Sequence, residues 1–357
     1  MMLPFTGTYA KLGATIKNGF KLYVQQQGGS LGGREIEYVE VDSEANPAKA
    51  VDNVNKLILQ HNVDVLLGSV HSGVALAMAK RAKESGKLLI VPNAGADGVT
   101  GPLCAPNIFR TSFSNWQTGY AIGKAMAEDG HKRAVAVTWK YGSGEEQLKG
   151  FKEAFEKGGG KVIEELFVPF PNVEFQAVLT QVAAAKPDAV YSFFAGAGAV
   201  KFVKDYAAAG LKGSFPLYGT GFLTDGTLEA QGADAQGVKT ALHYADQLGT
   251  PTDNAFRAAY SKAYGDQPDV YAVQGYDAAQ LLKVGLTATG GDPKKSAEFA
   301  AAVRKATFDS PRGPFTISKS HNPIQDMYLR EVKGDVNKVV RVVVKALEDP
   351  GRGCSMK

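Results

Sequence analysis

"VDVLLGSVHSGVALAMAKRAKESGKLLIVP", residues 63–92, reads as strand, helix, strand. The apolar run at 63–68 is too short for a helix and stops at a glycine. Residues 72–86 carry apolar side chains at helical spacing and also end in a glycine, and 88–92 is a second short apolar run. Two short strands flanking a helix form a βαβ unit, which implies a parallel sheet.

The same rhythm runs outward in both directions. "EIEYVEVD" (35–42) reads as a strand, and "NPAKAVDNVNKLILQH" (46–61) as a helix with Asn at the cap and Pro just inside it. "NIFRTS" (107–112) and "RAVAVTW" (133–139) read as strands around the helix "WQTGYAIGKAMAEDG" (116–130), and "GEEQLKGFKEAFEKGGG" (144–160) as the next helix. Two stretches are counterparts. "DVLLGSVHSG" leads, one helix later, to "VPNAG"; "DAVYSFFAG", opening at Asp188, leads one helix later to "LYGTG". Two similar α/β domains account for this better than a solenoid does. After about residue 237 the order changes to helices at 252–264, 270–289 and 294–306 and then short strands, which is expected if the chain returns to the first domain.

Composition agrees with two soluble domains. The chain has 357 residues, 44% hydrophobic and 21% charged, and single cores stop growing at about 250–300 residues. A net charge of +4 is mild, and Lys and Arg are interleaved with Asp and Glu, so nothing argues for nucleic acid. No apolar run reaches the ~18 residues needed to span a membrane. No charged n-region with a long apolar h-region precedes the first strand. "MMLPF" reads as the end of a buried strand whose beginning is missing. The two cysteines, Cys104 and Cys354, permit one disulfide and exclude a four-cysteine zinc site.

The join at His71–Ser72 poses a choice between a nucleophile with its base and a helix N-terminus facing an anion. Ser72 stands where an N-cap would, and the N–H groups of Gly73 and Val74 with the helix dipole suit a carboxylate. "PNAGAD" (92–97) supplies a second turn, with Asn93 and the N–H groups of Ala94 and Gly95. The enzyme reading is weaker, because no orienting acid follows His71 at an evident position. "GGSLG" (28–32) matches a nucleophile elbow literally but precedes a strand rather than a helix. The remaining histidines have no metal-ligand spacing, and neither a dinucleotide fingerprint nor GxxxxGK[ST] occurs. Aromatics gather at strand ends: Trp139 and Tyr141, Phe193 and Phe194, and Phe222. This points to a flat apolar pocket.

These residues carry a likeness. The sequence resembles the periplasmic solute-binding proteins of ABC importers in the leucine/isoleucine/valine-binding group, over essentially its whole length. "LPFTGTYAKLG" is similar to that family's P-x-[ST]-G-x-x-A-x-x-G opening. "VDVLLGSVHSG", "VPNAGAD", "NIFRTSFSNWQ", "YGSGEEQLKGFKEAF", "FQAVLTQVAAAKPDAVY" and "DVYAVQGYDAAQLL" match in order and spacing. The resemblance implies two Rossmann-like lobes with parallel-rich sheets, joined by a three-segment hinge and closing on one solute in the interlobe cleft. It implies an N-terminal lobe of residues 1–114 and 243–318 and a C-terminal lobe of 115–242 and 319–357. It further implies a ligand carboxylate at Ser72 with His71 on the rim, and hydrogen bonds from Asn93, Ala94 and Gly95. Tyr141 would reach from the second lobe with Trp139 and Phe194 beside it, and the turns at Ala195–Gly196 and Gly221–Phe222 would complete the site. A periplasmic, monomeric, non-enzymatic protein without cofactor or metal is implied, with an inner-membrane ABC permease as partner.

One departure is informative. Amino-acid binders of the group commonly place an acid in the second-lobe turn matching "GTGF", against the ligand's ammonium. Gly221 and Phe222 stand there instead, and Asp225 lies further along. A buried ammonium without its counter-charge is costly, so the expected ligand is a small aromatic carboxylate of benzoate, hydroxycinnamate or arylpyruvate type. Branched-chain or aromatic amino acids, and a sensing module of the same fold, are the alternatives. In an oxidising periplasm Cys104 and Cys354 would bridge and return the last residues to the first lobe.

Overall fold

The computed structural model describes residues 1–246 and 248–356. The chain forms two compact units, one of residues 1–114, 249–325 and 348–357, the other of 115–248 and 326–347. The first boundary falls where the sequence places it. Residues 243–248 instead belong to the second unit, where the Tyr244 carbonyl accepts from Arg330, and 319–325 belong to the first, where the His321 carbonyl accepts from the Arg110 N–H. The chain thus passes between the units three times before its tail and once more at the tail. The fourth passage is the tail, tied back within the first unit by a Cys104–Cys354 disulfide.

In the second unit five parallel strands stand in the order Lys161–Pro169, Arg133–Lys140, Ala189–Phe193, Leu217–Thr220, Lys239–Leu242. Taken in chain order these are strands 2-1-3-4-5. Pro323–Lys333, whose first residues lie in the first unit, runs antiparallel to Lys239–Leu242, and Val336–Leu347 pairs with it. The first unit repeats the order with shorter strands. Val41–Asp42 pairs in parallel with Met2–Leu3, Met2 bridges to Gly68 after Val65–Leu67, and Leu88–Val91 and Ile108–Arg110 follow. In this topology the strand order reverses between strands 1 and 3, and ligands bind outside the carboxyl ends at that point.

Glycines let helices close on one another in both units. A Cβ on Gly19 would lie 1.9 Å from the Ala272 carbonyl oxygen and one on Gly275 2.0 Å from that of Ile16, locking Ala10–Gln26 against Val270–Ala288. Asn115–Glu128 meets Gly142–Lys157 in the same way, at Gly119 and Gly123. Near the first unit's boundary, buried Arg312 donates to the carbonyls of Thr111 (2.6 Å) and Ser112 (3.2 Å) and pairs with Asp277 at 3.1 Å.

Helix 46–61 starts as read: the Asn46 side chain accepts from the Ala48 N–H beside Pro47, and Pro47–Asn55 runs into a π-helical turn, Lys56–Gln60. The strand read at 35–42 is not continuous. Only Val41–Asp42 joins the parallel ladder and Arg34–Glu35 a small hairpin, because Met2–Leu3 is too short to pair residues 36–40.

Candidate functional site

In the first unit the strand Val65–Leu67 ends in the turn 68–71, and the helix Ser72–Ser85 begins there. The cap is His71, not Ser72. Its Nδ1 accepts from the Gly73 N–H at 3.1 Å, and Ser72 is the first helical residue. Backbone geometry decides this, since His71 is extended (φ −76°, ψ 128°) as a cap must be. Burial lowers the His71 pKa to about 4, so the ring is neutral at ordinary pH. With Nδ1 accepting, its proton sits on Nε2. His71 is a donor at this turn, not a base.

Ser69 and Ser72 are both fully buried, and the Ser69 hydroxyl has no hydrogen-bond partner among the described residues. The Ser69 carbonyl accepts from the Ala94 N–H at 2.9 Å, which engages the backbone donor expected of Ala94 and stitches the two turns together. Asn93 is held by Gln274 (Nδ2 to Oε1, 2.7 Å), and its carbonyl by Ser112 Oγ at 2.9 Å. Buried Arg110 supports the turn from strand Ile108–Arg110, donating to the Ala96 carbonyl at 2.7 Å and to Asn322 at 2.7 Å. These two turns set hydroxyls, the neutral His71 ring and a helix N-terminus at the ends of neighbouring strands, an environment suited to an anion.

In the second unit the carboxyl ends of strands 1 and 3 carry aromatics in two rows. Tyr141, the cap residue of Gly142–Lys157, lies 5.0 Å from Phe170 and 6.1 Å from Phe193 (ring centroids), and Phe193 lies 6.4 Å from Phe222. Trp139 and Phe194 form the inner row. The Trp139 indole N–H donates to the Asn172 carbonyl at 2.8 Å, and its ring lies so close to Gly198 that a Cβ there would come within 2.2 Å. Phe194 is enclosed by Phe175 (4.9 Å) and Phe202 (4.4 Å). Both are fully buried, and Trp139 packs against Phe170 and Phe193 of the other row as well as against Phe194. Ala195 caps the helix Gly196–Ala208, and Gly196 takes φ +56°, a conformation glycine adopts without strain.

The Gly221–Leu223 turn follows strand Leu217–Thr220. A Cβ on Gly221 would lie 2.5 Å from Arg330 Nη2 and 2.6 Å from Leu242 Cβ, so position 221 has no room for an acidic side chain as the chain is packed. Asp225, the nearest acid, pairs with Arg330 at 2.6 Å, both fully buried. Arg330 also donates to the Tyr244 carbonyl (2.8 Å) and Thr240 Oγ1 (2.9 Å).

Sequence reasoning missed Ser69, Gln274 and Phe170. Phe170 follows the strand Lys161–Pro169, so the strand-end rule that found Phe222 applies to it equally. Gln274 carries no local signal, because its partner is 181 residues away. Among the described residues no group of three or more His, Cys, Asp or Glu could hold a metal ion, and no helix is long and apolar enough to cross a membrane.

A model of the periplasmic binding protein family matches residues 1–337. A Leu/Ile/Val-binding protein homolog from Brucella melitensis is 31% identical, over 98% of this chain and 91% of its own. The solute-binding protein of an ABC transporter from R. palustris, solved with benzoate, is 52% identical, with a TM-score of 0.97 over 99% of this chain and 98% of that one. A second, from Rhodopseudomonas palustris BisB5 with 3,4-dihydroxybenzoic acid, is 34% identical, with a TM-score of 0.92 over 98% and 97%. The topology, the paired turns and these matches agree: the chain belongs to the periplasmic binding protein family, in its Leu/Ile/Val-binding group, a family that binds solutes rather than transforming them.

Proposed function

We propose that this chain binds a small aromatic carboxylate lacking an ammonium group and presents it to an ABC permease. The observation that carries the reading is the Asp225–Arg330 pair. The acid nearest the second-unit turn is already neutralised, so an ammonium would meet no counter-charge, while the rings of Tyr141, Phe193 and Phe222 suit an aryl face. The carboxylate goes to the first unit, where Ser69, Ser72, His71 Nε2–H, the Asn93 side chain and the Gly95 N–H supply donors. The benzoate bound by the 52% identical relative supports this chemistry. Titration calorimetry on protein freed of ligand by unfolding and refolding tests the reading. Benzoate or a hydroxybenzoate binds, and leucine and phenylalanine do not. Tight leucine binding with no response to aryl acids overturns it.

A further inference from the structure

In the first unit the turn carrying Asn93, Ala94 and Gly95 runs into the short helix Asp97–Thr100 and a second turn, 101–104. That second turn closes on the helix: the Leu103 N–H donates to the Gly98 carbonyl at 2.9 Å and the Cys104 N–H to that of Gly101 at 3.0 Å. Two ties reach from here to the helix Ser72–Ser85. Lys83 Nζ donates to the carbonyls of Pro102 (3.3 Å) and Cys104 (3.2 Å), and a Cβ on Gly98 would lie 2.9 Å from Leu76 Cδ2. A third tie reaches the ligand turn, because buried Arg110 donates to both the Ala96 carbonyl and Thr100 Oγ1. Residues 97–104 therefore link the Ser72 helix to the Asn93 turn.

Segment 349–354 is fastened onto this link. A Cβ on Gly101 would lie 2.7 Å from the Arg352 carbonyl oxygen, and one on Gly353 3.1 Å from Pro102 Cγ, so the two backbones meet with no side chain between them. Gly353 takes φ +82°, a conformation open to glycine. Further along, a Cβ on Gly351 would lie 3.2 Å from that of Ser320, and buried Asp349 accepts from the Gly351 N–H at 2.7 Å. The Cys104–Cys354 disulfide makes the junction covalent. We propose that segment 349–354 is a brace for the carboxylate half-site. By fixing 97–104 it holds the Ser72 helix N-terminus and the Asn93 turn in the arrangement an anion needs, so the ligand does not have to order its own donors. Cys104, Cys354 and Lys83 are on this account positioning residues that never touch the ligand. The inference rests on the aryl carboxylate reading given above.

The test compares the full chain with its Cys104→Ser/Cys354→Ser, Lys83→Met and Lys83→Arg variants. Benzoate affinity, read by titration calorimetry, falls roughly tenfold in the double variant and about threefold in Lys83→Met, the scale of one hydrogen bond's net worth. Lys83→Arg still donates to the two carbonyls and keeps the parental affinity. Hydrogen exchange followed by mass spectrometry quickens more at the amides of 94–104 than at those of the helix Val270–Ala288 in the same unit. Lys83 is exposed, so its variants carry the test even where the double variant fails to fold. Parental affinity in the double variant or in Lys83→Met overturns the proposal. So does exchange at 94–104 that quickens no more than at 270–288, which makes the disulfide a contribution to overall stability alone. A parent chain that binds no aryl acid defeats the ligand reading instead, and the exchange comparison then decides the brace by itself.

Discussion

The two units place turns of opposite character at equivalent points of the same 2-1-3-4-5 strand order. In the first, Ser69, His71, Ser72 and Asn93 bring polar groups and a helix N-terminus to the carboxyl end of a strand. In the second, Tyr141, Phe193 and Phe222 bring rings there, with Asp225 neutralised behind them. Topology therefore chooses the location, and side chains choose the chemistry. The proposed aryl carboxylate rests on that asymmetry rather than on the fold.

The comparison can be broken most severely at the buried ion pair. Arg330→Met leaves Asp225 charged and buried, and the expected loss is about 3–5 kcal/mol of stability, measured by urea unfolding. Unchanged stability would mean that Asp225 is neutral without Arg330 and that the argument against an ammonium ligand fails. On the polar side, the proposed contact of Ser72 with a carboxylate is worth about 1.5–3 kcal/mol, so Ser72→Ala is expected to lower benzoate affinity roughly 10- to 100-fold with the fold intact. Calorimetry reads this directly, and an unaltered Kd would move the anion elsewhere.

The pH response separates His71 from its surroundings. Its folded pKa of about 4 lies below the ordinary 6.5, so between these values the unfolded chain binds the extra proton and stability falls with pH. At pH 5 this amounts to about 2 kcal/mol relative to pH 7. Asp277, raised to about 6 by burial, works in the opposite direction, stabilising the fold as pH falls from about 6 toward 3.8. His71→Asn keeps a capping side chain and cancels only the first contribution. The variant is expected to lose less stability than the parent between pH 7 and 5, and identical losses would show that His71 is not buried neutral. The smallest effect is expected in the inner aromatic row, where Phe194→Leu costs about 1 kcal/mol of stability and leaves benzoate affinity within about threefold. A larger loss of affinity at constant stability would place Phe194 against the ligand after all.

What the sequence determined by itself was local or repeated: the strand and helix rhythm, the two counterpart units, the first boundary after Ser114, and polar versus aromatic strand ends. These depend on periodicity and on residue types within a few positions of one another. The tertiary structure decided whatever depends on distant partners. Asp225 is neutralised by an arginine 105 residues away, Asn93 is oriented by Gln274, and the tail is tied to the first unit by a disulfide spanning 250 residues. Capping at His71 was decided by φ and ψ, because either residue of the His71–Ser72 pair suits the position chemically. Segment 36–40 has the composition of a strand and joins no ladder among the described residues, because a strand is completed by its neighbour's backbone rather than by its own side chains.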